Sequence, residues 1–279
     1  MSRARVSPAL YSETSGTGNV DAAPLVLLHG WGMNLRVFDR LRVALGAQPR
    51  VTAIDLPGHG RSPWTAQASP QQQLAGLAAM LPRGATLAGW SLGGQLALQL
   101  ASQPALAVRR LVLIATSPRF VRADDWPQGV PAAMLREFAA QLERDADQTI
   151  ADFLELQVRG SADAAAVRAT LHHSLQQHGA AHPAALRAGL ALLEHNDLRQ
   201  LARRVDVPAL VIAGQYDRVT PPQAAQALAQ LLPQAQLLQI KRAAHAPFIS
   251  HAAQVGAALL DFTRDDARRR PGAEARMTP

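Results

Sequence analysis

The chain contains no cysteine among its 279 residues. Disulfide bridges, thiol chemistry and cysteine-ligated metal sites are therefore excluded. The sequence has no run of about 18 uncharged apolar residues, so it predicts no transmembrane helix. Its first ten residues include two arginines but no apolar segment, which does not fit a secretory signal. We expect a cytoplasmic protein that has no membrane partner.

Aromatic residues are also scarce, at 4% of the chain. The formal net charge is +7, but the basic residues are dispersed along the sequence. Proteins that bind nucleic acids instead cluster basic residues in a patch or stripe, often beside aromatic residues. All basic residues except Lys241 are arginine, which indicates a coding bias rather than a function. We therefore expect no nucleic-acid partner, and we expect a monomer.

The sequence does contain a regular alternation of short apolar runs and helical periods. Short apolar runs between turn signals predict buried strands. The predicted strands are 24–28, 51–55, 86–88, 108–115, 208–213 and 236–240, with one edge strand near 9–12. The predicted helices around them are 35–45, 69–81, 92–102, 222–232 and 251–263. This alternation predicts an α/β fold in which helices cover both faces of a mostly parallel sheet.

Residues 118–206 interrupt the alternation. Their apolar periodicity predicts four amphipathic helices, at 131–145, 148–158, 162–178 and 183–195, and no strand. Because this insertion follows a strand, we expect it to form a cap over the carboxyl edge of the sheet. The remaining parts, 1–117 and 207–263, would form the core. The tail, 264–279, mixes charge, proline and glycine, and is predicted to be disordered.

The segment Gly89-Trp90-Ser91-Leu92-Gly93 lies between a predicted strand and a predicted helix. A Gly-x-Ser-x-Gly turn in this setting exposes the serine oxygen above the sheet and directs the following N–H at a reacting carbonyl oxygen. Side chains at Gly89 and Gly93 would crowd the sharp turn. Ser91 is therefore the predicted nucleophile, and the Leu92 N–H is a predicted oxyanion donor.

A serine nucleophile needs a base that is poised near neutral pH, which points to histidine. We predict His245, because it follows the last strand at the edge where Ser91 lies, and His251 is the alternative. His29 and His59 also follow strands, but they lie inside tight glycine turns. The other histidines belong to the insertion and are expected at the surface or at hinges: His172, His173, His178, His182 and His195.

An acid should orient the histidine, and Asp217 follows strand 208–213 at the same edge. The resulting order, Ser91, Asp217, His245, is the one expected for this arrangement. Asp55 is the rival acid, but its strand precedes the nucleophile and its Asp-x-Pro-Gly setting indicates a structural role.

The turn His29–Gly32 is predicted to supply a second oxyanion donor, the backbone N–H of Trp31. Trp31 and Trp90 flank the nucleophile and are candidates for the wall of an apolar acyl pocket, although Trp90 fits a core position equally well. Neither the histidines nor the acidic residues show metal-ligand spacing, so we expect no metal and no cofactor.

Three motifs, at 27–32, 55–62 and 89–94, are typical of the α/β-hydrolase superfamily. Within it, the sequence resembles the pimeloyl-[acyl-carrier protein] methyl ester carboxylesterases of biotin synthesis. The narrower resemblance is carried by 117–120, 125–127, 153–157, 197–199 and 243–251.

The resemblance implies an α/β-hydrolase fold and cleavage of a methyl ester from a pimeloyl chain on an acyl-carrier protein, without a metal. The implied substrate contacts are Trp31, Ser91, Leu92, Phe153, Leu154, Glu155, Leu156, Gln157 and His245. The acidic carrier would dock on cap arginines, for which Arg119, Arg122, Arg159 and Arg168 are the candidates. The sequence departs from the family at Asp152, where a basic residue is expected, and in the cap's net charge of −2, from ten arginines and twelve acidic residues.

Two other kinds of function remain as alternatives. One is a different small carboxyl-ester or enol-lactone hydrolase of the same superfamily, because cap helices determine specificity. The other is a non-enzymatic binding module, which would lack a member of the triad, and none is missing here. A haloalkane dehalogenase is disfavoured because the turn carries serine instead of aspartate.

Overall fold

The computed structural model describes residues 9–18, 23–47 and 49–264. Within them, seven strands form one sheet in the order β1-β3-β2-β4-β5-β6-β7. The strands are β1 (Ser12–Ser15), β2 (Leu25–Leu28), β3 (Val51–Ile54), β4 (Thr86–Trp90), β5 (Arg110–Ile114), β6 (Ala209–Gly214) and β7 (Ala235–Ile240). All neighbours pair in parallel except β1 and β3. The predicted mostly parallel sheet is confirmed.

The edge strand β1 begins three residues later than predicted. Its antiparallel register pairs Ser12 with Ile54, the last residue of β3. Tyr11 therefore lies beyond the end of β3, and its N–H donates to Ser62 Oγ at 2.9 Å. This pairing, rather than the apolar residues before Ser12, determines where the strand begins.

The central strands are apolar on both faces because helices cover both sides of the sheet. In β2, Leu25 and Leu27 belong to one core cluster, while Val26 and Leu28 belong to the other. Helices α1 (Asp39–Leu45), α10 (Pro247–Ser250) and α11 (Ala252–Arg264) pack in the first cluster, and α2 (Pro70–Ala79), α3 (Leu92–Ala101) and α9 (Pro222–Leu231) pack in the second.

Two helix boundaries differ from the prediction. The predicted helix 251–263 is split into α10 and α11, because His251 has a non-helical backbone, with φ −130° and ψ 45°. The segment 35–45 begins with a 3₁₀ turn over Leu35–Phe38 before α1. The start of α2 agrees with the prediction, since Ser69 and Gln72 form a capping box.

Between β5 and β6 the chain forms the cap helices α4 (Ala132–Arg144), α5 (Ala146–Val158), α6 (Ala164–His178) and α7 (Pro183–His195), followed by the short α8 (Arg199–Ala202). The first four agree with the predicted helices to within two residues. The division of the chain at residues 117 and 206 stays a prediction. Of the predicted tail, only Arg264 lies within the described residues, where it ends α11.

One buried amide, that of Gln95 on α3, joins the two connections of the cap. Its Nε2 donates to the Ser117 carbonyl oxygen at 3.0 Å, and its Oε1 accepts from Asn196 Nδ2 at 3.0 Å. The Leu198 N–H also donates to the Pro118 carbonyl oxygen at 2.8 Å. The entry and exit of the cap therefore lie side by side against the helix that follows Ser91.

An ion-pair network extends this connection. Asp197 accepts from Arg119 at 2.9 Å and from Arg199 at 2.7 Å, and Arg199 also reaches Asp125 at 2.9 Å. The Arg199 guanidinium lies 5.7 Å from the Trp126 ring centre. Hydrogen bonds from Arg199 lower the pKa of Asp197 to about 2. Three motifs of the narrower resemblance therefore meet where the chain enters and leaves the cap, and their polar side chains bond to one another there. They are 117–120, 125–127 and 197–199.

The Gln95 amide generates a stability prediction. The change Gln95→Leu leaves the Ser117 carbonyl and the Asn196 amide without this partner, so the free energy of unfolding should fall by about 2 kcal/mol or more. Urea unfolding followed by circular dichroism measures it. The control Gln226→Leu, on the exposed face of α9, should change stability by less than about 0.5 kcal/mol. Equal effects of the two substitutions would contradict the assigned role.

Candidate active site

Ser91 occupies a sharp turn between β4 and α3. Its backbone is left-handed, with φ 55° and ψ −119°, which costs a non-glycine residue about 1–3 kcal/mol. The Ser91 N–H donates to the Ile114 carbonyl oxygen at 3.0 Å, and the Ser91 carbonyl oxygen accepts from Thr116 Oγ1 at 2.7 Å. Both bonds hold the strained turn against β5. A Cβ at Gly93 would collide with the carbonyl oxygens of residues 28 and 29, in agreement with the steric argument from the sequence.

The structure brings Asp217 and His245 together at the carboxyl ends of β6 and β7. His245 Nδ1 donates to Asp217 Oδ2 at 2.8 Å, and both side chains are fully buried. The other carboxylate oxygen accepts from the Val219 and Thr220 N–H groups, at 2.9 and 2.8 Å. The carboxylate is therefore fixed, and it holds the imidazole in the tautomer whose Nε2 carries a free lone pair.

The backbone of His245 is held from two sides. Its N–H donates to the Gln157 carbonyl oxygen of cap helix α5 at 3.0 Å. Its carbonyl oxygen accepts from Trp90 Nε1 at 2.8 Å, and Trp90 is the residue before Ser91. The loop of the predicted base is thus tied both to the cap and to the turn of the predicted nucleophile.

His245 Nε2 is buried and has no hydrogen-bond partner among the described residues. The described residues therefore show no hydrogen bond from Ser91 Oγ to His245 Nε2, although both residues lie at the same edge of the sheet. Such bonds are often long in unliganded enzymes and shorten when substrate binds. The Asp217–His245 pair is observed, and the Ser91–His245 contact stays a prediction.

The turn that carries Trp31 packs directly against Ser91. A Cβ at Gly30 would lie 3.2 Å from Ser91 Cβ. The N–H groups of Trp31 and Leu92 have no acceptor among the described residues. Two free N–H groups beside a serine are what an oxyanion hole requires. Their role as donors stays a prediction.

The two tryptophans have different environments. Trp31 packs edge-to-face on Phe153, with ring centres 5.2 Å apart, and its Nε1 donates to the Leu186 carbonyl oxygen at 2.8 Å. Trp90 packs on Phe248 in the core, with ring centres 5.0 Å apart. Trp31 therefore joins the cap, as expected of a pocket wall, and Trp90 takes the alternative core position.

A narrow cavity lies between Ser91 and the cap and opens to solvent. Ser91 is the polar member of its wall. The apolar members are Trp31, Phe120, Val130, Met134, Leu135, Phe138, Phe153, Leu156, Leu190, Leu193 and Val219. The members from α4, α7 and the connecting loops were not predicted from the sequence. For the two helices, the spacing of Leu135 and Phe138, and of Leu190 and Leu193, is the signal that indicates a shared face.

The helical period of α5 places the residues of the predicted contact run 153–157 in different environments. Phe153 and Leu156, three residues apart, line the cavity. Leu154 is buried in the core cluster, and Glu155 is exposed and paired with Arg168. Gln157 is fully buried, and its carbonyl oxygen holds His245. The run thus supplies two cavity residues and one support for the predicted base.

The rival histidines have structural environments. His29 Nδ1 donates to the Gly30 carbonyl oxygen at 2.8 Å, and its Nε2 accepts from the Leu56 N–H at 2.9 Å. Burial lowers the pKa of His29 to about 4 and that of His59, whose Nδ1 donates to the Pro57 carbonyl oxygen, to about 3. Both rings are therefore neutral. The rings connect the loop after β2 to the loop after β3.

Asp55, the rival acid, also has a structural environment. Its carboxylate accepts from the Leu35 N–H at 2.7 Å and from the Arg61 N–H at 2.9 Å. The expectation that His178 lies at the surface is wrong, and the alternative that it is a hinge residue stays a prediction. Its side chain is 4% exposed and its Nδ1 lies 3.3 Å from Asp55, because the end of α6 packs against Tyr11.

The four candidate docking arginines differ in environment. Arg119 is paired with Asp197, and Arg168 is paired with Glu155. The Nε of Arg122 donates to the Gly129 carbonyl oxygen, and Arg159 is exposed at the end of α5.

In the described part of the chain, no group of three or more histidine, cysteine, aspartate or glutamate side chains is arranged to bind a metal. No helix in the same residues has the length and apolarity needed to cross a membrane.

Comparisons with known proteins agree with this geometry. Residues 23–252 match the family model described as the alpha/beta hydrolase fold. The solved structure of a bromoperoxidase from Bacillus anthracis superposes with a TM-score of 0.84. It is 23% identical, and the match covers 92% of this chain and 95% of that one, so this likeness concerns the fold. The chain belongs to the α/β-hydrolase family.

Curated relatives define the branch of the family. The protein named pimeloyl-[acyl-carrier protein] methyl ester esterase in Nitrosomonas europaea is 42% identical over 246 residues, which cover 88% of this chain and 96% of that protein. The protein of the same name in Stenotrophomonas maltophilia is 43% identical over 238 residues, covering 85% and 92%. The narrower resemblance found in the motifs is thus confirmed along most of the chain.

The two buried aspartates generate opposite predictions. The change Asp217→Asn should lower kcat for an ester by about 10⁴-fold, because the amide favours the wrong imidazole tautomer. The change Asp55→Asn should lower the free energy of unfolding by about 1–3 kcal/mol, because an amide nitrogen cannot accept from a backbone N–H. The measurements are p-nitrophenyl butyrate hydrolysis and urea unfolding. If the folded Asp55→Asn protein lost kcat while the Asp217→Asn protein stayed active, the two assigned roles would have to be exchanged.

The neutral histidines predict acid destabilisation. His29 and His59 have lowered pKa values in the folded state and about 6.5 in the unfolded chain, so the unfolded state binds protons first as the pH falls. The contribution of these two rings to the free energy of unfolding is fully present above pH 6.5. It is lost as the pH falls towards 4, at up to about 1.4 kcal/mol per pH unit for each ring. Urea unfolding at pH 8, 6 and 5 measures this slope.

A pair of variants tests the assignment of that slope. The change His59→Gln should flatten it, whereas His172→Gln, on the exposed face of α6, should leave it unchanged. A wild-type stability that stays constant from pH 8 to 5 would refute the assignment.

Proposed function

We propose that this protein is a serine carboxylesterase that hydrolyses the methyl ester of pimeloyl-[acyl-carrier protein] in biotin synthesis. The curated relatives place it among the carboxylic ester hydrolases of this family. The observation that best supports a serine mechanism is the buried Asp217–His245 pair beside Ser91, with an apolar cavity in front of the serine. The names of relatives that are 42–43% identical support the substrate.

The proposed reaction has two halves. Ser91 Oγ attacks the ester carbonyl carbon while His245 Nε2 takes the serine proton. The Trp31 and Leu92 N–H groups donate to the oxyanion that forms. The carbon–methoxy bond then breaks, and His245 returns the proton to the departing oxygen, which releases methanol. Water, deprotonated by His245, cleaves the acyl-enzyme and leaves a carboxylate and free Ser91.

The cavity suits a neutral ester on an alkyl chain. Its wall is apolar apart from Ser91, so each buried methylene group is stabilised by about 0.8 kcal/mol. The wall carries no cation among the described residues, so a carboxylate buried there would have no ion-pair partner. The cavity therefore favours binding of the ester and release of the acid product.

The partner of the proposed reaction is an acyl-carrier protein in the cytoplasm. Arg119, Arg122, Arg159 and Arg168 remain the predicted docking residues on the cap. The rival function is hydrolysis of another small carboxyl ester or of an enol-lactone, and substrate comparison decides between them.

The change Ser91→Ala tests the mechanism. It should abolish hydrolysis of p-nitrophenyl butyrate, because no other nucleophile replaces the serine oxygen, while the urea unfolding curve stays close to that of the wild type. Release kinetics of p-nitrophenol and circular dichroism are the measurements. A burst of p-nitrophenol from the folded variant would refute Ser91 as the nucleophile.

The substrate is tested with the wild-type protein. Its kcat/KM should be higher for the methyl ester of pimeloyl-[acyl-carrier protein] than for free dimethyl pimelate. Its gene should also restore growth without biotin to a bacterium that lacks its own esterase, whereas the Ser91→Ala gene should not. Efficient hydrolysis of enol-lactones, together with failure to restore growth, would favour the rival function.

A further inference from the structure

Four basic residues lie at the junction between the cap and the carboxyl edge of the sheet. Arg218 belongs to the loop after β6, Lys241 and Arg242 belong to the loop after β7, and Arg159 ends cap helix α5. All four are exposed. They are called the junction patch below, together with Tyr216, which is 44% exposed.

Backbone contacts bring the three segments of the junction patch together. The Tyr216 N–H donates to the Ala243 carbonyl oxygen at 2.8 Å, which joins the two sheet loops. The Ala162 N–H donates to the Arg242 carbonyl oxygen at 3.1 Å, which joins the cap to the second loop. A Cβ at Gly160 would lie 3.3 Å from Tyr216 Cβ. The cap and the two loops therefore form one continuous surface.

The positive charge of the junction patch is not neutralised by ion pairs. Arg159, Arg218, Lys241 and Arg242 have no ion-pair partner within residues 9–18, 23–47 and 49–264. In contrast, Arg119 and Arg168 of the predicted docking set are paired with acidic residues. Free cations can pair with a partner's carboxylates without first breaking an internal bond.

Exposed acidic residues lie close in sequence to the cap part of this surface. Asp163 follows Ala162, and Glu155, four residues before Arg159 on α5, is paired with Arg168. Asp217 is buried and bonded to His245, so its carboxylate does not contribute to this surface. Four cations around an exposed tyrosine make a surface that is complementary to an acidic protein, because tyrosine and arginine are enriched where proteins bind each other.

The junction patch also borders the cavity. Arg159 lies three residues after Leu156 on α5, and Arg218 precedes Val219. Leu156 and Val219 both line the cavity in front of Ser91. A partner bound to the junction patch would consequently stand beside the walls that receive the acyl chain.

We propose that the junction patch, Arg159, Arg218, Lys241 and Arg242 around Tyr216, docks the acidic carrier protein that presents the ester to Ser91. This inference rests on the proposed function and places docking on the sheet loops as well as on the cap. Long-range attraction between the patch and the carrier should raise the association rate, and salt should weaken it.

Charge reversal tests the proposal. The triple variant Arg159→Glu, Arg218→Glu, Lys241→Glu should lower kcat/KM for the carrier-bound methyl ester by about tenfold or more and leave kcat/KM for free dimethyl pimelate unchanged. The matched control is Arg83→Glu, Arg203→Glu, Arg204→Glu, three exposed residues before β4 and β6, at the opposite edge of the sheet. It makes the same change in net charge and should leave both values unchanged.

Three results would overturn the proposal. They are equal losses on carrier-bound and free esters, equal losses in the junction and control variants, and loss only when Arg119, Arg122 and Arg168 are reversed. A salt series adds a second readout, because kcat/KM for the carrier-bound ester should fall with salt in the wild type and change less in the junction variant.

A binding measurement separates this proposal from the proposed function. The Ser91→Ala protein is titrated with fluorescently labelled acyl-carrier protein, with and without the junction substitutions. Binding that the junction substitutions abolish supports the patch even if the wild type does not hydrolyse the carrier-bound ester. Absent binding, or binding that the substitutions leave unchanged, overturns the patch.

Discussion

The hydrogen bond between Asp217 and His245 is the interaction on which the rest of the site depends. It joins the loops after β6 and β7, which lie together because parallel strands end at one edge of the sheet. The two N–H groups that bind the other carboxylate oxygen hold the aspartate side chain in place. Without this bond the imidazole would have no fixed tautomer, and the proposed transfer of the Ser91 proton to His245 would lose its oriented base.

The cap contributes to the same geometry. Gln157 of α5 holds the His245 N–H, and Trp90 holds the His245 carbonyl oxygen. The base of the cap is in turn joined to α3 by Gln95, one turn after Ser91. The cap is therefore part of the support of the site as well as the wall of its cavity. We therefore expect a change in the cap to alter turnover even where it does not contact substrate.

Much of this arrangement could be predicted from the sequence. Short apolar runs predicted the parallel strands, since such runs are buried on both faces. The Gly-x-Ser-x-Gly turn indicated Ser91 as the proposed nucleophile. Asp217 and His245 followed from their position after strands. Local pattern also indicated that Asp55 is structural, and the contacts with Leu35 and Arg61 agree.

Other features depend on contacts between distant parts of the chain. His178 looks like an ordinary helix residue, and only the packing of α6 on Tyr11 shows why it is buried. The five-residue run 153–157 could not be assigned as a block, because α5 turns Phe153 and Leu156 towards the cavity and Glu155 towards solvent. The junction patch combines residues that lie 83 positions apart from Arg159 to Arg242, and no local pattern reveals it.

The proposed mechanism requires Ser91 to carry the acyl group during turnover. This can be measured by rapid acid quenching of the wild-type protein with a p-nitrophenyl ester, followed by mass spectrometry of the digested chain. We expect one acyl group on the peptide that contains Ser91, formed within the first turnover. An acyl group on another residue, or steady hydrolysis without any acylated peptide, would rule out Ser91 as the nucleophile.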